Sequence, residues 1–325
     1  MYRRNIMTKL MLDFEKPIFA LEEKIEEMRE LSSANGVDLE DEIRRLEEKL
    51  RKLIKKTYSN LNRWQRVQLA RHPERPYTND YLEKICTDFI EIHGDRNFAD
   101  DKSIITGFAT IDKHKVVIIG HQKGKNTKDN LYRNFGMPHP EGYRKALRAM
   151  KLAEKFHKPV VSIIDTPGAY PGIGAEERGQ AEAIAKNLFE MSRLKTPILI
   201  VIIGEGASGG ALGIGVGDRL VLLENTWFSV ISPEGCASIL YRDAGKANIA
   251  AESMKVTARD LQDLGIADEI IQEPDGGAHR NPDETARVLK ESILRNIDEL
   301  SAIPIDELIR LRIEKYSKMG SWDEA

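Results

Sequence analysis

The run Ile198-Leu-Ile-Val-Ile-Ile203 passes without a polar residue into Gly204-Glu-Gly-Ala-Ser-Gly-Gly-Ala-Leu-Gly-Ile-Gly-Val-Gly217. An uninterrupted apolar run of this length has no face left for water, so it reads as a strand buried on both sides, the signature of a parallel sheet covered by helices. The glycine-rich stretch then opens a short helix of small residues. Backbone N–H groups without intrahelical partners converge there, with the positive end of the helix dipole behind them, which suits a negative ligand.

Three readings fit this loop. Gly204-x-Gly206-x-x-Gly209, with Glu224 near the expected ribose-binding spacing, satisfies the dinucleotide fingerprint, although the segment from Gly209 to Asp218 is short and glycine-rich for a crossover helix. Gly206-x-Ser208-x-Gly210 satisfies the nucleophile elbow, which needs an acid and a histidine later in the chain, and the only later histidine is His279. The plain alternative for Ser208 is a helix cap. In the third reading the amides of Gly209 and Gly210 form an oxyanion hole with no local nucleophile, which asks least of the remaining residues.

A second segment has the same design. Val160 to Ile164 reads as a buried strand ending in Asp165-Thr-Pro-Gly-Ala-Tyr-Pro-Gly172, and Gly174-Ala-Glu-Glu-Arg-Gly-Gln180 opens another helix. Two parallel strands then end in glycine loops at one edge, where both face one ligand; Pro167 and Pro171 stiffen the backbone and Gly168 and Gly172 allow close approach.

Around these loops the 325-residue chain divides into three parts. Residues 1–75 carry an N-terminal helical hairpin, with Ile18, Leu21, Ile25 and Met28 on one stripe, Ile43, Leu46, Leu50 and Leu53 on the other, and a breaker at Ser32, Ser33, Asn35 and Gly36; a third helical piece runs from Leu61 to Ala70. The narrow apolar stripe needs a partner surface, on the body of the protein or on another subunit. Residues 76–275, after the punctuated His72-Pro73-Glu74-Arg75-Pro76, read as an α/β core of ββα units. A hairpin pairs Ile104–Ile111 with Lys115–Gly120; strands follow at 160–164, 198–203, 219–223 and 227–231, and helices at Glu141–His157 and Glu176–Leu194. Residues 276–325 form a C-terminal helical cap with Ala286, Leu289, Ile293, Ile297 and Leu300 on one stripe.

Composition narrows the partners. With 49 Lys and Arg against 52 Asp and Glu, the net charge of -3 gives no global field for nucleic acid. Cys86 and Cys236 are far apart and form no C-x-x-C, so neither a disulfide framework nor a zinc ribbon comes from this chain, and a reducing, cytoplasmic setting fits. No run approaches the ~18 apolar residues of a membrane span. Lys123, Lys125, Lys128, Arg133, Arg144, Lys145 and Arg148 form a basic stretch, read as steering charge or a solvated face. His93, Asp95, Asp100 and Asp101 read as loop caps rather than metal ligands, and His121 as a satisfied structural histidine.

The runs Gly120-His-Gln-Lys-Gly124, Arg133-Asn-Phe-Gly-Met-Pro-His-Pro-Glu-Gly-Tyr-Arg-Lys-Ala-Leu147, Asp165 to Gly172, Glu176-Glu-Arg-Gly-Gln180, Gly204 to Gly217, Ser232-Pro-Glu-Gly-Cys-Ala-Ser-Ile239 and Gly276-Gly-Ala-His279 together resemble the carboxyltransferase alpha subunits of bacterial acetyl-CoA carboxylases. The likeness runs from about Leu12 to the C-terminal helices; Met1 to Ile6 fit no family pattern and read as an extension upstream of a start at Met7. It implies a crotonase-like fold and a biotin-dependent carboxyl transfer. The carboxyl group passes from carboxybiotin on the biotin carboxyl carrier protein to acetyl-CoA, giving malonyl-CoA for fatty-acid synthesis. Negative charge then develops on the ureido oxygen as the carboxyl group leaves, and the freed ring nitrogen deprotonates the thioester.

Carried over to matching positions, Gly209 and Gly210 are the expected donors. Gly168, Ala169, Tyr170, Pro171, Gly172, Gly206, Ala207 and Ser208 are the expected carboxybiotin pocket. The resemblance also implies an α2β2 assembly with a beta subunit that carries the acyl-CoA side and a four-cysteine zinc site, biotin carboxylase in the full complex, no metal in this chain and no membrane. Two rivals stay open: a lone acyl-CoA hydratase or isomerase using Glu176, Glu177 or Glu205 as base, and a non-catalytic scaffold.

Overall fold

A computed structural model describes residues 11–35 and 38–320. The expected extension Met1 to Ile6 lies outside them. Helices α1 (Lys16–Asn35) and α2 (Glu40–Ser59) form the hairpin, and α1 runs on through Ser32 and Ser33 rather than ending there. The base of the hairpin packs Ile18, Tyr58 and Leu61 against Leu69 of α3 (Arg63–Ala70), so this end of its stripe is covered by the body. The 72–76 stretch is packed too: Arg75 is 2 % exposed and bonds the Ile203 carbonyl and Glu273.

After α4 (Thr78–Ile85) come β1 (Thr87–Glu91), β2 (Ile104–Ile111), β3 (His114–His121), α5 (Thr127–Tyr132), α6 (Pro140–Lys155), β4 (Val160–Thr166), α7 (Ile173–Glu177), α8 (Gln180–Arg193) and β5 (Ile198–Ala207). Then follow α9 (Ser208–Leu212), β6 (Arg219–Leu223), β7 (Trp227–Ser229), α10 (Pro233–Tyr241), α11 (Ala247–Met254), α12 (Ala258–Asp263), β8 (Glu269–Ile271), α13 (Pro282–Ser301) and α14 (Ile305–Ser317). One sheet runs β1-β2-β3-β4-β5-β6-β8, with β7 beside the end of β5; β1 to β3 pair antiparallel and the rest parallel.

β5 shows why an all-apolar strand belongs at the centre. Ile198, Ile200 and Ile202 enter the core under α6 and α8, while Leu199, Val201 and Ile203 enter the one under α4 and α13. Side chains alternate between faces along a strand, so both faces need apolar residues, each worth about 1.5 to 3 kcal/mol on full burial. Several expected boundaries move. β5 extends four residues past Ile203, β7 stops at Ser229, and the helix expected over Glu176–Leu194 breaks into α7 and α8 at Gly179, whose φ of +83° a helix interior does not allow. The edge strands β1 and β8 were not expected at all.

Candidate active site

β4 and β5 are parallel neighbours, and Thr166 at the end of β4 pairs with Gly206. Both glycine loops therefore leave the sheet at the same edge. The turn from β5 into α9 falls on Ser208, whose φ is +58°. Gly209 and Gly210 follow in the first helical turn, where no intrahelical carbonyl is available, and among the described residues no other main-chain acceptor takes their amides.

The two loops touch. A Cβ placed on Gly210 would lie 2.3 Å from the Gly168 carbonyl carbon and 2.4 Å from the Ala169 nitrogen, so only glycine fits this seam. Gly209 stands differently: a Cβ there would meet only Ile184, at 3.6 Å. Gly168, Ala169, Ala207, Ser208 and Gly209 line one cleft of about 420 Å³ together with Val230, Ile231 and Ser232, whereas Gly210 is buried and not among its lining residues. Ser208 and Val230 also border an apolar slot of about 290 Å³ lined by Leu212, Phe228, Met254 and Leu261.

The remaining expected pocket residues sit elsewhere. Gly206 is inside β5, where a Cβ would strike the Phe228 ring at 2.6 Å. Tyr170 stacks on His139, its N–H bonded to the Pro138 carbonyl. Pro171 is exposed, and Gly172 tucks beneath Tyr170, whose ring would lie 2.4 Å from a Cβ there.

The rival readings of the loop lose their supports. Gly204 and Gly206 belong to the strand, leaving only a five-residue helix after them, and Glu224 pairs with Arg66 and accepts the Glu273 amide instead of facing a ligand. Ser208 has the strained strand-to-helix turn of an elbow, but His279 Nε2 is held 3.1 Å from Glu15 at the hairpin base. Nor does Ser208 cap α9, whose N-cap is Ala207. Of the proposed bases, Glu176 lines the cleft, Glu177 is exposed away from its lining, and Glu205 is buried and paired twice.

That pairing is what the sequence reading missed. Lys123, read as steering charge or a solvated face, is largely withdrawn from solvent, with Nζ 2.7 Å from Asp165 and 2.7 Å from Glu205. Burial opposes its charge, but the two carboxylates outweigh it and hold the ammonium above the ordinary lysine range. Glu205 also accepts from Arg71 at 2.7 Å, and Arg71 reaches Glu234 at the start of α10 at 2.6 Å. Burial raises the Asp165 carboxyl; Glu205 is held low despite its burial, by Lys123 and then Arg71.

The rest of the basic stretch is mostly structural too: Lys125 pairs with Asp80, Arg133 with Asp129, Lys145 with Asp100, and Arg148 bonds the His93 and Gly94 carbonyls. The capping reading of the acidic loop agrees with the structure, for Asp95 accepts the amides of Asn97, Phe98 and Ala99, and Asp101 those of Ser103 and Ile104. His121 corrects the expectation. It is fully buried with both ring nitrogens unpartnered, and burial, then Lys123, pushes its pKa down to about 3.

Glu15, His72 and His279 also bring ligand-type atoms within 4.8 Å of one another. A metal-bound imidazole donates its other N–H outward, whereas His72 Nδ1 accepts the Glu74 amide at 3.2 Å, and Glu15 already takes Tyr58 Oη at 2.5 Å and the Leu12 amide at 3.0 Å. These contacts describe a hydrogen-bonded knot at the hairpin base. No helix among the described residues is long and apolar enough to cross a membrane.

Residues 11–320 match the family described as acetyl co-enzyme A carboxylase carboxyltransferase-like. The chain is 58% identical to the acetyl-coenzyme A carboxylase carboxyl transferase subunit alpha of Chlorobium limicola, over 97% of this chain and 99% of that protein, and 56% identical to its namesake in Methylococcus capsulatus, over 96% and 98%. Among solved structures it shares its fold with the transcarboxylase 12S core, at a TM-score of 0.54 and 19% identity, covering 77% of this chain and 43% of that one. A Pseudomonas malonate decarboxylase hetero-tetramer chain also matches at a TM-score of 0.54 and 16% identity, covering 67% and 88%. The α/β, crotonase-like architecture expected from the resemblance is thus the one observed. On sequence and fold together, the chain belongs to the acetyl-CoA carboxylase carboxyltransferase alpha-subunit family.

Proposed function

We propose that this chain is the biotin-side half of a two-chain carboxyltransferase that moves a carboxyl group from carboxybiotin, carried on a separate protein, to acetyl-CoA, forming malonyl-CoA. The observation that carries the reading is the meeting of two glycine loops at Gly210, which leaves Gly209 on the wall of a cleft of about 420 Å³. When bound, the carboxylated ureido ring supplies the transferable group. In this reading the donors are the amides of Gly209, which lines the cleft, and of Gly210 behind it, held in place by the seam with Gly168 and Ala169. Ala169, Ile184 and Val230 give the cleft apolar walls. Lys123, pinned between Asp165 and Glu205, holds the stems of both loops at one spacing.

No side-chain nucleophile is needed. The acyl-CoA side, its own oxyanion hole and a zinc ribbon belong in this reading to a beta subunit in an α2β2 assembly, working with the carrier protein and biotin carboxylase in the cytoplasm. Mixing the chain with that partner, biocytin and malonyl-CoA tests it. Acetyl-CoA release that needs both chains and biocytin supports the proposal; release by the isolated chain, or without biocytin, overturns it.

A further inference from the structure

The segment Arg133–Tyr143 has no part in the reading above, yet it contacts the Gly168–Gly172 loop through Pro138 and His139. Asn134, Phe135 and Gly136 are three consecutive left-handed residues, with φ of +49°, +56° and +77°. The turn they make aims the next groups at the loop. The Gly136 carbonyl accepts from Thr166 Oγ1 at 2.7 Å, and the Pro138 carbonyl accepts from the Tyr170 amide at 3.0 Å and from Gln180 Nε2 at 2.9 Å. The His139 ring then lies on the Tyr170 ring, with centroids 4.1 Å apart and planes inclined by 23°.

His139 is itself fixed. Its main-chain N–H donates to Asp101 Oδ2 at 2.9 Å, and its Nδ1 lies 3.3 Å from that oxygen and 2.9 Å from Asn134 Nδ2. Asp101 is 3 % exposed, and burial works against its charge; hydrogen bonds from His139 and Ser103 nonetheless keep the carboxyl below its ordinary range. A ring held on a buried carboxylate is a rigid surface, and a stacked aromatic contact transmits position without needing a hydrogen bond.

We infer that His139 is a positioning residue for the pocket loop, its Asp101-anchored ring serving as the flat seat that sets Tyr170 and, through it, the Gly168-Ala169 edge that meets Gly210. The inference rests on the biotin-side reading of that loop. His139 touches no reacting atom in it, so its effect falls on how well the loop receives one substrate.

The test is a kinetic split in the assembled two-chain enzyme, using biocytin and malonyl-CoA. His139→Ala raises the KM for biocytin roughly 3- to 10-fold, the range that loss of one stacked pair supports, and leaves the KM for malonyl-CoA within about twofold. His139→Phe keeps a flat ring and restores the biocytin KM to within about twofold of the parent, whereas His139→Gln behaves like His139→Ala. Rescue by Gln and not by Phe, or an equal rise in both KM values, overturns the seat. A rise confined to malonyl-CoA leaves the seat standing and instead overturns the assignment of the loop to biotin. Hydrogen exchange on the chain alone gives a second readout: the Tyr170 amide exchanges faster in His139→Ala and at the parent rate in His139→Phe, and unchanged exchange in His139→Ala overturns the inference.

Discussion

Gly210 approaches Gly168 so closely that even a methyl group on it would lie 2.3 Å from the Gly168 carbonyl carbon, and this contact joins the two loops into one surface. Neighbouring Gly209 has no such neighbour. Two adjacent glycines in one turn therefore do different jobs.

Gly210→Ala is expected to lower kcat by about 10²- to 10³-fold, the scale of losing one oxyanion donor, because the added methyl prises the loops apart. It also costs about 1 to 3 kcal/mol of stability through overpacking. Gly209→Ala, which meets only Ile184, keeps kcat within about tenfold. Steady-state assays of both variants with a melting curve for each check this, and equal effects would refute the division of labour.

Lys123→Met leaves Asp165 and Glu205 as neighbouring buried carboxylates, with Arg71 on Glu205 alone. Removing one partner of a buried pair costs about 3 to 5 kcal/mol. Urea unfolding measures that loss, and adding Asp165→Asn recovers part of it by removing the carboxylate with no other cation. A Lys123→Met chain as stable as its parent would show that the ammonium holds nothing together.

Glu273 sits against Arg75, both side chains essentially fully buried, at 2.5 Å. Burial opposes its charge, but Arg75 prevails and its pKa falls from 4.5 to about 2. A carboxyl depressed in the folded state contributes stability above its unfolded pKa and loses it as pH drops through the folded one. Melting temperature is expected to fall between about pH 4.5 and 2, less steeply in Glu273→Gln, which is already destabilised at neutral pH. Identical acid profiles for the two chains would contradict this.

Arg312 of α14 is 1 % exposed; it pairs with Asp218 at 2.8 Å and donates to the carbonyls of Met191, Leu194 and Thr196. Arg312→Met strands those groups in the interior, and a loss of about 3 to 5 kcal/mol follows. Thermal denaturation reads it directly, while Arg310→Met, on the exposed face of the same helix, stays within about 0.5 kcal/mol.

Patterns that obey one period were legible from the residues. β5 and the stripe Ala286, Leu289, Ile293 and Ile297 stand where their apolar spacing put them, because burial on a strand or helix face depends on neighbours a few residues away. Elements set by distant partners were not. β8 is three residues long and exists because Leu222 and Leu223 offer it an open ladder; β1 presents mostly exposed residues with no alternation to mark it.

At the site, the two loops and their shared edge could be foreseen from glycine spacing after apolar runs. The fate of Lys123 could not, since a lysine in a basic stretch looks solvent-facing until the strands bring Asp165 and Glu205 beneath it. His279 misled in the opposite sense. As the only histidine after Ser208 it was the one candidate for an elbow's base, but its partner Glu15 lies 264 positions earlier in the chain.

The clamp formed by Arg312 carries a consequence for biosynthesis. The carbonyls of Met191 and Leu194 at the end of α8, and the Asp218 carboxylate before β6, meet their guanidinium only once Arg312 has been added, 121, 118 and 94 residues later. A chain stalled before α14 leaves those acceptors without their cation, and it is expected to be cut by proteases more readily than one stalled after Arg312.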